Sequence, residues 1–215
     1  MQINMMEATN EAGSSAFRRP RVVESYSDYA PPFAVAPMVE RMLDSVPVKY
    51  LNGLSEIVLT NATALTRKRR RSVTKSRARK VRVREARGVY HPEWNGSPPW
   101  IEIFVDNALK GWDKGWWLML GFIREGRIGV VLFHEIGHHI DFTIRPEYRD
   151  KEDIADNWAR TLGRNFSRKQ HPYLRFFLRR LRPLLRLVFK IINQRLLEDG
   201  KITQAQYEKR IKDFS

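Results

Sequence analysis

The sequence lacks cysteine altogether. No disulfide framework and no thiolate metal site can form, so any bound metal must be held by His, Asp or Glu, as suits a reducing compartment. The first fifteen residues do not combine a basic segment with an apolar one, so we expect no secretory signal and a cytoplasmic protein. Uncharged apolar runs of about 18 residues are also missing, which argues against a membrane-spanning helix.

Acidic residues are scarce relative to basic ones. Asp and Glu number 24 against 39 Lys and Arg, which leaves a net charge of +15 over 215 residues. This charge favours an acidic partner, but does not choose among phosphate backbones, anionic lipids and acidic proteins. Apolar residues make up 42% and aromatic residues 11%, enough for a folded core in one domain with appendages.

The order of the predicted elements, strands first and helices after, indicates an α+β fold. Short apolar runs at 56–60 and 101–105 predict buried strands, and apolar residues alternating with basic ones predict a third strand over 81–90. Helical patterns cover 38–45, the Trp-rich segment 111–123, 128–141 and 152–162. We expect a mobile N-terminal arm over 1–36, a single domain over 37–170 and a basic amphipathic helical segment over 171–215.

The predicted helix 128–141 contains the motif His-Glu-x-x-His. His134 and His138 are four residues apart, so both imidazoles project from one helix face and can bind one metal ion. Glu135 lies beside that face, where a carboxylate can accept a proton from a water that the metal has activated. The flanking residues are apolar, and unpartnered polar groups buried among them would cost about 1–3 kcal/mol each. Metal ligation removes that cost, and zinc is the expected ion.

Two histidines leave a catalytic zinc site incomplete, because such sites usually take three protein ligands. Glu152 is the expected third ligand, with Asp156 one turn further along to accept the free ring N–H of a ligating histidine. An acidic first turn, favoured by the helix dipole, is the alternative explanation of these carboxylates. Asp141 and His139 are rival third ligands, although neither lies one turn from His138 on its face.

Together these residues resemble zincin metallopeptidases of the gluzincin type. They are also similar to small bacterial ImmA/IrrE-like peptidases, in which a Glu-x-x-Ala-(Asn/Asp)-x-aromatic-Ala helix follows the histidine helix. The places of that pattern are taken by Glu152, Ala155, Asp156, Trp158 and Ala159. The resemblance covers about residues 100–162.

The resemblance implies a zincin-like fold, in which a small mixed sheet precedes an active-site helix and C-terminal helices. It implies a zinc metallopeptidase that hydrolyses peptide or protein substrates, with Glu135 as general base and acid. The zinc ligands would be His134, His138 and Glu152. The strand 101–105 would border the cleft and pair with an extended peptide, and Tyr148 and His171 are candidates to stabilise the oxyanion.

Two basic segments suggest partners outside a cleft. Residues 67–87 hold twelve basic residues and one acid. This charge run predicts a solvated loop in its first half, and the functional alternative is a contact with phosphate or with an acidic surface. It lacks the interleaved aromatic residues that would stack on bases, so nucleic-acid specificity is not supported. Residues 173–197 form a basic amphipathic pattern, broken at Pro183, that packs on the domain or lies on an anionic membrane as a peripheral attachment. The alternative function is therefore a non-catalytic zinc-containing protein that binds nucleic acid or membrane.

Overall fold

The computed structural model describes residues 18–76, 79–111, 120–144 and 152–173, with 180, 193–194, 203–206 and 208; for 74–76, 79–81 and 144 it describes the backbone alone. The chain divides into two compact units between Phe166 and Ser167, where we had expected a boundary between 170 and 171. All the strands named below belong to the first unit. Within the described residues, no helix has the length and apolar character needed to cross a membrane.

In the part of the chain that the structure describes, six strands form two separate sheets. They are β1 (Arg21–Glu24), β2 (Glu56–Thr60), β3 (Val73–Ser76), β4 (Arg79–Arg82), β5 (Gly88–His91) and β6 (Trp100–Phe104). The larger sheet has the order β1-β2-β6-β5, in which β1, β2 and β6 are parallel and β5 is antiparallel to β6. Strands β3 and β4 form an antiparallel ribbon of their own. The fold is thus α+β with a small mixed sheet.

One long helix covers one face of the four-stranded sheet. The helices with described bounds are α1 (Ala36–Leu43), α2 (Arg67–Arg71), α3 (Val105–Leu109), α4 (Gly121–Ile144) and α5 (Glu152–Gln170). Apolar side chains of α4 such as Leu132 and Ile136 share a fully buried core with Ile57, Ile101 and Ile103 of the sheet. Burying each such side chain contributes about 1.5–3 kcal/mol. This packing fixes α4, and with it the His-Glu-x-x-His motif, against the sheet.

The opposite face of the sheet carries a small second core and a buried ion pair. Phe104 packs there with Leu65 and Val83. Beside them the carboxylate of Glu102, 5% exposed, accepts hydrogen bonds from the guanidinium of Arg69 at 3.0 and 2.5 Å. Burial alone would raise the pKa of Glu102, but the hydrogen bonds and charges of His91 and Arg69 outweigh it and hold that pKa below its usual value.

Several sequence predictions are confirmed. The α+β class holds, β2 has the expected bounds, and the strand expected at 101–105 forms one residue earlier because Val105 begins α3. Helices form where the patterns at 38–45, 128–141 and 152–162 predict them, and α4 and α5 are longer than expected. The Trp-rich segment falls mostly, and the amphipathic pattern 173–197 almost entirely, outside the described residues.

Three predictions are wrong in part. The mobile arm does not extend over 21–36, because β1 pairs with β2 and Val35 is buried in the core. The first half of 67–87 contains α2 instead of a loop, and its N-cap Thr66 accepts a hydrogen bond from the backbone N–H of Arg69. Residues 81–90 do not form one strand, since Val83 enters the second core through a 3₁₀ turn and separates β4 from β5.

Candidate metal centre

The candidate centre exists because α4 and α5 approach each other closely at Gly137. A Cβ atom at this position would lie 2.8 Å from the Cα and the carbonyl oxygen of Ala155 and 3.1 Å from the Cβ of Trp158. On its other side Trp158 packs against the ring of Tyr50, with ring centroids 4.9 Å apart. The two small residues therefore let the first turn of α5 lie over the histidine motif.

This approach brings together three side chains of the types that bind metal ions. The candidate ligand atoms of His134, His138 and Glu152 all lie within 4.8 Å of one another. The Oε2 atom of Glu152 is 3.3 Å from Nε2 of His134 and 4.0 Å from Nε2 of His138. The two imidazole rings are perpendicular, with centroids 4.8 Å apart. All three side chains are partly buried, which limits their freedom to turn away.

Asp156 orients one of these imidazoles. Its Oδ1 atom lies 3.0 Å from Nδ1 of His134, so that nitrogen donates its proton to the carboxylate. The Nε2 atom of His134 then keeps its lone pair on the side of Glu152. This is the arrangement by which a carboxylate partner fixes the tautomer of a metal-binding histidine.

The residues present fit a zinc ion. The Oε2 atom of Glu152 is buried and accepts no hydrogen bond from any described residue. A buried carboxylate oxygen without a donor is destabilising, and a cation between it and the two imidazoles would satisfy it. Two histidine nitrogens and one carboxylate oxygen are a donor set that zinc accepts at catalytic sites, where a fourth position stays open.

Glu135 lies buried beside this group, with 6% of the residue exposed. Burial and the charge of Glu152 raise its pKa to about 8, against the opposing effect of a backbone hydrogen bond from Tyr90. Gly88 of β5 makes room for this side chain, because a Cβ there would lie 2.7 Å from Oε1 of Glu135. The edge of the sheet therefore touches the candidate catalytic carboxylate.

The strand beside the motif is β5, which corrects the expectation for 101–105. Strand β6 has β2 on one side and β5 on the other, so it has no free edge for a peptide. Among the described strands β5 pairs with β6 alone, and it runs alongside α4 from Gly88 near Glu135 to Tyr90 near His139. An extended substrate at this site would meet the outer edge of β5.

The rival ligands do not join the group of three. His139 is fully buried, where its Nε2–H donates to the carbonyl of Asn52 at 2.9 Å and its Nδ1 accepts from the hydroxyl of Tyr90 at 3.2 Å. Burial lowers the pKa of His139, against the opposing hydrogen bond to Asn52. Asp141 is buried, and it is not part of the candidate group formed by His134, His138 and Glu152 among the described residues.

The roles of the two candidates for oxyanion stabilisation stay predictions. Tyr148 lies outside the described residues. His171 belongs to the second unit, where its Nδ1 lies 2.9 Å from the hydroxyl of Tyr173.

Sequence reasoning missed the residues that hold the motif in place. Gly88 and Gly137 allow the two close approaches, and Tyr90 with Asn52 binds His139. A glycine inside a buried helix is a recognisable indication of a close helix contact, so Gly137 carried a usable signal. The partners of His139 lie far from it in the sequence, and no local sequence pattern predicts them.

Comparisons of the chain with protein-family models, with curated proteins and with solved structures find no match. Function is therefore inferred from the chemistry of the site.

Proposed function

We propose that this chain is a zinc-dependent metallopeptidase with a zincin-like arrangement of sheet and helices. The observation that carries the proposal is the convergence of His134, His138 and Glu152, with one buried carboxylate oxygen lacking a hydrogen-bond donor among the described residues. Glu135 beside this group distinguishes a catalytic site from a structural one, because a structural zinc site has no use for a further carboxylate.

His134, His138 and Glu152 would hold the zinc ion, with Asp156 fixing the ring of His134. When bound, zinc polarises the scissile carbonyl and lowers the pKa of a water molecule. The position of Glu152 depends on the Gly137–Ala155 contact, so that contact is part of the proposed site.

Glu135 moves the proton in the proposed reaction. Its carboxylate accepts a proton from the attacking water, and the same oxygen then donates that proton to the amine that leaves when the peptide C–N bond breaks. Substitution of a general base lowers the rate by about 10²–10⁴-fold.

The substrate is proposed to be an extended peptide beside β5. An edge strand recognises the main chain of an added segment by hydrogen bonds, so this binding mode tolerates many side chains. The absence of a side chain at Gly88 lets β5 pass directly beside Glu135, which would bring a peptide on this strand close to the proposed general base. Unfolded polypeptides are therefore the appropriate first substrates.

The proposal is tested by metal analysis and peptide-library cleavage on the wild type and on Glu135→Gln. We expect about one zinc per chain in both proteins, and hydrolysis that falls by at least about 10²-fold in the variant. Glu40→Gln is the matched control, because the same change at an exposed carboxylate of α1 should alter neither property. Zinc-loaded wild type that cleaves no peptide in a diverse library would refute the peptidase and favour the non-catalytic alternative.

A second measurement tests the ligands themselves. His134→Ala and His138→Ala should abolish zinc retention, and Glu152→Ala should weaken it strongly. Full zinc occupancy in Glu152→Ala would show that the third ligand is another residue.

A further inference from the structure

A basic arm, residues 67–84, is not used by the proposed peptidase site. It holds eleven Lys and Arg residues and no acid. The arm consists of α2, the β3–β4 ribbon and the start of the 3₁₀ turn Val83–Glu85. Among the described strands, β3 and β4 pair with each other and with no strand of the larger sheet. A segment so rich in one charge needs a physical explanation.

The base of the arm is fixed to the domain. The guanidinium of Arg69 makes two hydrogen bonds to the buried carboxylate of Glu102 on β6. Val83 packs in the second core with Phe104, and the N–H of Val83 donates to the carbonyl of Ser72 at 3.0 Å across the foot of the ribbon. The two ends of the ribbon are therefore anchored to the domain. This anchoring reduces the conformational entropy that the arm loses when it binds a partner.

The remaining described cations of the arm are exposed and mostly unneutralised. Arg84 forms an ion pair with Glu85, and Arg70 donates to the carbonyl of Thr63. No acidic side chain among the described residues forms an ion pair with Arg67, Lys68, Arg71 or Arg82. The arm thus presents concentrated positive charge to the solvent.

The ribbon has little intrinsic stability. A two-stranded ribbon is marginally stable in water, and like charges directly opposite each other destabilise it further. The register places Lys75 opposite Lys80. A polyanion along the ribbon would remove this repulsion, so the sequence is better explained by a bound anionic partner than by folding alone.

We propose that the basic arm binds the phosphate backbone of double-stranded DNA, with the β3–β4 ribbon in the major groove. The major groove of B-DNA, about 12 Å wide, admits a two-stranded β-ribbon, whereas the deep, narrow groove of duplex RNA does not. Residues 67–89 contain no aromatic side chain, which disfavours both base stacking on single strands and anchoring in a membrane interface. Contacts of this kind read charge and shape and are independent of base sequence.

The test is fluorescence anisotropy of the full chain with a labelled 20-base-pair DNA duplex of arbitrary sequence, measured across salt concentrations. The variant Arg67→Gln/Lys68→Gln/Arg71→Gln removes three exposed charges from α2. The control Lys49→Gln/Arg160→Gln/Arg164→Gln removes three exposed charges elsewhere in the first unit, so both proteins have the same net charge. Circular dichroism and zinc content of each variant check that the fold is kept.

We expect the arm variant to raise Kd at least about tenfold at 0.1 M salt and to reduce the slope of log K against log salt by up to about 2.7, or about 0.9 per phosphate contact. The control should change Kd less than about threefold. Equal losses in the two variants would refute the arm as the site. Tighter binding to the matched single strand, to duplex RNA or to anionic vesicles than to duplex DNA would refute the partner. Peptidase activity is not part of this readout, so the two proposals fail separately.

Discussion

The contact between Gly137 and Ala155 gives the sharpest test of how the candidate centre is built. In Gly137→Ala the new Cβ would lie 2.8 Å from two backbone atoms of Ala155. Carbon atoms pack at about 3.5–4.0 Å, so the two helices must separate by about 0.7 Å or more. Backbone atoms cannot turn aside as a flexible side chain does. The first turn of α5, which carries Glu152, therefore moves away from the histidines.

The size of this movement decides the expected result. Metal sites tolerate distance changes of about 0.2 Å, so we expect zinc affinity to fall at least about tenfold. Overpacking should also lower the free energy of unfolding by about 1–3 kcal/mol, against a gain of about 0.5–1 kcal/mol from replacing a helical glycine by alanine. Competition with a chromophoric chelator measures the affinity, and urea unfolding of the metal-free protein measures the stability.

Gly126→Ala is the matched control on the same helix. A Cβ at Gly126 meets no atom within 4 Å. The free energy of unfolding of this variant should therefore rise by about 0.5–1 kcal/mol, because alanine favours the helix more than glycine does, and its zinc affinity should not change. If Gly137→Ala matches Gly126→Ala in both measurements, the close helix contact does not position Glu152 and the reasoning is refuted.

Three further predictions test the surroundings of the site. Asp156→Ala should weaken zinc binding by about 10–100-fold by chelator competition while His134 remains a ligand, and unchanged affinity would contradict the orienting role. Tyr90→Phe should lower the free energy of unfolding by about 1 kcal/mol without loss of zinc, since it removes one partly buried hydrogen bond. Glu102→Gln should destabilise the protein by about 1–3 kcal/mol at neutral pH. Because the pKa of Glu102 is lower in the folded state than its ordinary 4.5, this difference should shrink progressively as the pH falls below 4.5 towards the folded-state pKa, and a difference in urea unfolding that does not shrink with falling pH would oppose the ion pair.

The local part of the site could be predicted from the sequence because one helix supplies it. The spacing of His134 and His138 places both imidazoles on one face wherever α4 lies. The prediction of Glu152 as third ligand is less local, because a further segment of the chain separates it from His138. That prediction rested on the Glu-x-x-x-Asp spacing and on small residues at the expected helix contact. The structure brings these three side chains into one group, while their binding of zinc stays a prediction.

Two errors of the sequence analysis share one physical cause. Strand β1 has four residues and pairs in parallel with β2, whose first residue is 35 positions away at Arg21↔Glu56, so its formation depends on a non-local partner. The division of 81–90 depends on Val83 entering a core made with Phe104, again a contact distant in sequence. Periodicity reports local burial, and it cannot identify which distant segment provides the contact.

The neighbouring parallel strands β2 and β6 are joined by 39 residues, 61–99, which include the whole basic arm. The entropy of closing such a connection changes slowly with its length, since each doubling costs only about 0.6 kcal/mol. Replacing 73–82 by a tight turn between Ser72 and Val83, which already share a hydrogen bond, would change that term by about 0.3 kcal/mol. The length of the ribbon therefore has little effect on the stability of the sheet. In evolution the ribbon can lengthen, shorten or disappear while the core and the histidine helix stay intact.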